Sequence, residues 1–187
     1  MSDTLTITYE RMAAVLQRSG MLSRERALAV LARFAEYAHD RLNPYEVACA
    51  LEAFGLAVSV HADDIDYLEE GYANLLQRAA ALTGGAIIVA NVRLHEGEFV
   101  AGSRDDVLEF ERNGELVSIS AEHYSDQYYD HLAACDAIDH LSPDNDPRSF
   151  RIVDFEREEH RHYDSILVLA TPEQAEAMRK HFGLEFH

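Results

Sequence analysis

Apolar residues recur at helical spacing through the first 83 positions and then switch to alternation. Met12, Val15 and Leu16 mark one face of a helix over Tyr9–Gln17 that stops at Gly20. Ser23 predicts the N-cap of a second helix, with Leu28, Leu31, Phe34, Ala35 and Ala38 inward. In NPYE, Asn43 caps, Pro44 takes the first helical position and Glu46 reaches back as in a capping box. That helix carries Val47, Cys49 and Leu51 and ends at Gly55. A longer helix is predicted from about Asp63 to Leu82, with Ile65, Leu68, Tyr72, Leu75, Leu76, Ala79 and Leu82 inward. Gly84-Gly85 ends it.

From there the period is two. Ala86–Leu94 reads as a strand, and the stretch GEFVAGSRDD as a loop or a ragged edge. LEFERNGELVSIS is a hairpin with Asn113-Gly114 in a two-residue turn that requires positive φ at both positions. That turn sets Arg112 opposite Glu115, Phe110 opposite Val117 and Leu108 opposite Ile119, all on one face. The expectation is two apolar pairs toward a core and an ion pair near the tip. A helix from about Ser125 to Leu141 follows, with Tyr129, Leu132, Cys135 (or Ala133) and Ile138 inward. SPDNDP, Ser142–Pro147, is an exposed turn. Phe150–Glu156 reads as a strand. Ser165–Ala170 is apolar on both faces and is therefore expected at the centre of a sheet. TPEQ, Thr171–Gln174, is a second capping box, and the last helix ends at Gly183 with Phe186 packing back.

The fold class expected from this order is α+β. A helical portion, 1–85, precedes a portion, 86–187, with a mainly antiparallel sheet of about five strands and two packing helices. The two are expected to form one compact unit, since no linker rich in Ser, Gly or Pro separates them. Its 187 residues are enough for a core without staples.

Charge narrows the function classes. Lys+Arg is 16 against 34 Asp+Glu, a net charge of −18. Residues 1–85 carry seven basic and twelve acidic side chains, and residues 86–187 nine and twenty-two, so the excess sits mostly on the sheet portion. Nucleic acid is not an expected partner, because phosphates are bound by clustered cations. Anionic membrane surfaces are disfavoured for the same reason, and no apolar run reaches the ~18 residues of a membrane span. A basic partner is favoured. Cys49 and Cys135 form no C-x-x-C motif and read as buried free thiols. With no signal-peptide pattern at the N-terminus, the expected location is the cytoplasm.

Catalytic motifs are absent: there is no G-x-S-x-G, H-E-x-x-H, Walker-type loop or dinucleotide fingerprint. The one lysine, Lys180, lies in the terminal helix and argues against Schiff-base chemistry. No cofactor is expected. His160 and His162 alternate in EEHRHYD, and His123 and His131 bracket a strand-to-helix junction. With Asp154 or Asp164 these histidines make a conceivable metal site, or else a pH-sensitive surface. In HADDIDYLEE, Asp63, Asp64, Asp66, Glu69 and Glu70 place five carboxylates in ten residues. Negative charge at a helix start complements the dipole and explains the three aspartates well, Glu69 and Glu70 less well. The other reading is a patch for a cationic partner. Asp105, Asp106, Glu109, Glu111, Glu156, Glu158 and Glu159 form a second candidate acidic surface on the sheet portion. In the run Tyr124, Tyr128, Tyr129, Tyr128 is the candidate anchor, because tyrosine offers rigid contact area with a polar tip. Asp144 and Asp146 read as ordinary turn residues.

The stretch from LEFERNGELVSIS to SPDNDPRSFRIVDFE, followed by YDSILVLATPEQAEAMRKHFGLEF, resembles immunity proteins of bacterial polymorphic-toxin systems. The likeness covers about residues 86–187 and lies in general character, an acidic chain running hairpin, helix, hairpin and closing helix. It implies a small acidic α+β protein that binds a cognate toxin domain and blocks its active site, the toxin being a basic nuclease or an NAD-degrading enzyme. Two alternatives remain: a small metal- or ligand-binding enzyme using the His-rich sheet portion, and an acidic nucleic-acid mimic or regulatory protein.

Overall fold

The computed structural model describes residues 6–61, 65–155 and 164–187. The fold is α+β, with six helices and two antiparallel four-stranded sheets among the described residues. Three helices open it: α1 (Tyr9–Arg18), α2 (Arg24–Arg33) and α3 (Pro44–Ala53). The Thr8, Ser23 and Asn43 side chains cap them, and Glu46 completes the capping box on Asn43. In α2 Ala27 and Val30 are buried and Leu31 packs partly against the same core as expected, whereas Leu28 is exposed. The helix stops at Arg33, so Phe34 leaves its face and stacks on Tyr9 instead.

The helices do not all come first. Strand β1 (Ala57–Val60) lies within the portion expected to be helical and pairs with β7 (Ser165–Ala170). Its four residues, AVSV, are too short to show a period. The first sheet runs β1-β7-β6-β8, with β6 at Ser149–Asp154 and β8 at Glu185–Phe186. The doubly apolar β7 is central, as its sequence predicts. Ile166, Val168 and Ala170 pack with α1, α3 and α6 (Pro172–Phe182) on one face. Leu167 and Leu169 pack with α4 (Leu68–Leu82) and α5 (His131–Asp139) on the other. Helix α6 carries the expected capping box and ends at Gly183, whose φ of 70° is left-handed.

The second sheet covers the far side of α4 and α5. Its strands are β2 (Val89–His95), β3 (Phe99–Val100), β4 (Ser103–Arg112) and β5 (Glu115–His123). Strand β4 pairs with the other three. The stretch GEFVAGSRDD, read as loop or ragged edge, therefore holds β3 and the start of β4. The hairpin has the predicted register: Arg112 faces Glu115, Phe110 faces Val117 and Leu108 faces Ile119. Asn113 and Gly114 have φ of 51° and 85°. Leu108, Phe110 and Ile119 are buried. The expected tip ion pair is replaced: Arg112 bonds Asp144 at 2.8 Å and the Ser142 carbonyl at 2.7 Å, tying the hairpin to the SPDNDP turn.

Two helices begin later than their patterns suggest. Helix α4 starts at Leu68, because the Ile65 amide is held by the Gln127 carbonyl at 2.8 Å. Helix α5 starts at His131, capped by Asp130. Its buried face is Ile138 with three alanines, Ala133, Ala134 and Ala137, whose small side chains let it sit between two sheets, and Leu132 is left 83% exposed. No helix among the described residues is long and apolar enough to cross a membrane.

Candidate functional site

Alternation along β4 separates the two neighbouring aspartates. Asp105 is exposed on the outer face of the second sheet. Asp106 is buried on the inner face and is no surface contact, contrary to the sequence reading. On the outer face, Asp105 pairs in register with Glu122, Val107 with Ser120, Glu109 with Ser118 and Glu111 with Leu116. Asp105, Glu109, Glu111 and Glu122 thus share one face with an exposed leucine. Arg93 and His95 join it from β2, and His95 Nε2 lies 2.7 Å from Glu109 Oε2. Glu122 was not among the sequence candidates. The hairpin register, extended to Asp105, identifies it.

Asp106 anchors a buried network. Its Oδ1 accepts the Arg104 Nε–H at 2.8 Å and the Gly97 amide at 2.9 Å. Its Oδ2 lies 2.8 Å from His123 Nδ1, and His123 Nε2 lies 2.9 Å from the Tyr72 hydroxyl. The Asp130 amide donates to that hydroxyl at 3.1 Å. One assignment satisfies the Asp106, His123 and Tyr72 side chains: His123 Nδ1–H donates to Asp106, and Tyr72 donates to Nε2. Burial pushes the Asp106 carboxyl up, but Arg104, the Gly97 amide and His123 outweigh it and hold it below its ordinary value. Burial raises the Tyr72 phenol. Arg104, Asp106, His123 and Tyr72 are all buried, so this Asp–His–Tyr chain is closed to solvent. It binds α4, β4, β5 and the start of α5 together. Sequence reasoning assigned His123 to a possible metal site. The overlooked signal is Arg104-x-Asp106, two opposite charges on one strand face.

The first acidic patch divides. Asp66 and Glu70 are exposed. Glu69 Oε2 accepts the Leu94 amide at 2.9 Å and Oε1 pairs with Arg93 at 3.4 Å, so Glu69 fastens α4 to β2. Only Glu69 and Glu70 lie in the first turn of α4, and the dipole accounts for these two rather than for Asp66. Asp63, Asp64, Glu156, Glu158, Glu159, His160 and His162 lie outside the described residues. Near the end of β5, Tyr124 is 74% exposed and Tyr128 46%, with Asp126 and Glu122 beside them in sequence. Tyr129 turns inward and meets Tyr72 edge-on, ring centroids 4.9 Å apart.

A further polar cluster closes the end of β1. Ser59 Oγ donates to Glu52 Oε2 at 2.6 Å and lies 2.8 Å from His61 Nε2. His61 Nδ1 is 3.7 Å from Asp164 Oδ2, which accepts the Tyr45 hydroxyl at 2.9 Å. Ser59, His61 and Asp164 have the residue types of a nucleophilic triad. The geometry differs: Ser59 is buried and its proton goes to a carboxylate. His131 Nδ1 sits 3.5 Å from Ser165 Oγ. Among the described residues no three or more His, Cys, Asp or Glu side chains are grouped to hold a metal ion. Cys49 and Cys135 are free thiols, half-buried rather than fully buried, and burial raises both.

Comparison with known protein families, with curated proteins and with solved structures gives no match.

Proposed function

We propose that this protein is an inhibitor of the immunity-protein kind, which binds a basic toxin domain and blocks its active site. The observation that carries the reading is the outer face of the second sheet. Asp105, Glu109, Glu111 and Glu122 present four carboxylates there, around the exposed Leu116 and Val107. Apolar contact area inside an acidic field is what a basic protein surface requires, and the net charge of −18 steers such a partner from a distance. Tyr124 and Tyr128, beyond the end of β5, extend the surface with aromatic anchors. Inhibition is steric: the sheet face covers the partner's catalytic cleft, and no chemistry by this chain is needed. A cytoplasmic setting fits this role.

The test compares wild type with a Glu109→Lys/Glu111→Lys/Glu122→Lys variant as baits in lysate of the source cells. A stoichiometric basic protein held by the wild type, released by the variant, and inhibited by the wild type in an assay of its own activity supports the reading. Equal capture by both baits, or a captured protein whose activity is unaffected, overturns it.

A further inference from the structure

We propose that the cleft between the start of α1, the turn after α2 and the start of α3 is a binding site for a cationic side chain, a guanidinium or ammonium presented by a protein partner. The cleft holds about 440 Å³, within the range of small-ligand pockets. Four aromatic rings line it: Tyr9, Phe34, Tyr37 and Tyr45. Tyr9 and Phe34 stack with centroids 4.7 Å apart and planes 10° apart, forming one continuous wall. Tyr37 stands 58% exposed. Ring faces carry the negative end of the aromatic quadrupole and attract cations. Phe34, stacked on Tyr9, already holds the chain's own Arg33 guanidinium 5.3 Å from its centroid, and the exposed Tyr37 ring is the one left for a partner's cation.

The charges around the rings favour the same occupant. Asp40 and Glu46 are exposed lining residues. Glu46 uses one oxygen to accept the Asn43 amide and keeps its charge at the cleft. Arg41 in the lining and Arg33 over Phe34 are the cations nearby and offset part of this. Deeper in, the field is negative. The Cys49 thiol is pushed up by burial first and then by Asp164, Glu52 and Glu46. Tyr45 donates its proton to Asp164 and is itself raised by burial, so phenol and thiol stay neutral. The cleft therefore offers aromatic faces and carboxylates and no nucleophile: it recognises and does not react. An anion meets repulsion from Glu46 and Asp164, and a neutral apolar group gains nothing from the carboxylates.

The inference rests on the reading of a basic partner but concerns a different surface, and its test needs no partner. The ¹⁵N-labelled protein is titrated with Nα-acetyl-arginine amide and, separately, with Nα-acetyl-citrulline amide, its neutral isostere. The expected result is saturable shift changes confined to the amides of Tyr37, Asp40, Leu42 and Cys49, with at least tenfold weaker response to the citrulline probe. Tyr37→Ala, which removes an exposed ring, weakens the arginine probe at least fivefold, and Asp40→Asn weakens it without disturbing the fold. Equal binding of both probes, or non-saturating shifts spread over the acidic surface, overturns the proposal. Probe binding with no basic partner captured removes only the inhibitor reading, and the converse removes only the cleft.

Discussion

Asp106 and His123 share a 2.8 Å hydrogen bond with both side chains shut off from solvent, on the inner side of a sheet whose outer side carries Asp105 and Glu122. Two adjacent aspartates thus do opposite work: one faces solvent, the other fixes the interior.

Asp106→Asn removes the buried partner of Arg104 and the acceptor charge for His123, while Arg104 Nη1 keeps Asp126 at 2.8 Å and Glu96 at 3.5 Å, so the loss costs about 1–3 kcal/mol. For a chain of this size that lowers Tm by about 5 °C. Asp105→Asn changes stability by less than about 0.5 kcal/mol, as an exposed substitution does. Urea unfolding of the two variants checks this, and similar midpoints would show that the network is not holding the sheet to the helices.

Acid weakens the fold with a definite sign. Asp106 lies below its ordinary value, as do Asp144 beside Arg112 and Asp146, held at about 2 by Arg148. A carboxyl depressed in the folded state contributes stability that is complete above its unfolded pKa, about 3.9, and is lost as pH falls through the folded value. Tm is therefore expected to hold near neutrality and to fall between about pH 4 and pH 2. Asp144 is exposed and Asp146 half-buried, so salt screens the share of Asp144 most and leaves that of Asp106. Thermal melts across this range at low and high salt separate the two, and a flat profile contradicts the assignment.

Gly97 is required where it stands. A Cβ there would lie 2.3 Å from the Asp105 carbonyl oxygen, and the Gly97 amide donates to Asp106. Gly97→Ala must move backbone and stretch that hydrogen bond, at a cost of about 1–3 kcal/mol. Gly102→Ala meets no atom and is strained only by its φ of 96°. Hydrogen exchange at the His123 and Asp106 amides reads the difference: Gly97→Ala accelerates it, and an unchanged rate would mean the loop relaxes freely.

The proposed association with a basic partner carries its own kinetic signature. Reversing Glu109, Glu111 and Glu122 lowers the on-rate by about tenfold or more at low ionic strength, and the gap narrows as salt rises. Leu116→Ala acts mainly on the off-rate, because apolar contact is unscreened. Stopped-flow association at two salt concentrations distinguishes steering from contact.

The elements legible in the sequence are those whose local rules agree. Asn113-Gly114 and its alternating flanks fix the hairpin, the Asn43–Glu46 and Thr171–Gln174 boxes fix two helix starts, and SILVLA fixes the central strand. What stayed hidden depends on distant partners. The late starts of α4 and α5 follow from the Ile65–Gln127 contact and the Asp130 cap. Strand β1 exists because β7 lies beside it. The acidic outer face was legible in Asp105, Glu109 and Glu111. Asp106 was misplaced with them because GEFVAGSRDD was read as a ragged loop, and a loop carries no inside or outside.

Glu69 and Glu70 are adjacent carboxylates in the first turn of α4 with different partners, and a pair of substitutions tells them apart. Both complement the helix dipole, worth a few tenths of a kcal/mol each at an exposed position. Glu69 also accepts the Leu94 amide and pairs with Arg93, joining helix to sheet. Glu69→Gln keeps an acceptor for Leu94 but loses the charge, and costs less than about 1 kcal/mol. Glu69→Ala strands a half-buried amide at a cost of about 1–3 kcal/mol. Glu70→Ala has no such bond to lose and stays within about 0.5 kcal/mol. If Glu69 belonged to a partner-binding patch, Glu69→Ala would weaken capture while leaving the urea midpoint alone. The expected order is the reverse: the midpoint drops, and capture per folded molecule is unchanged.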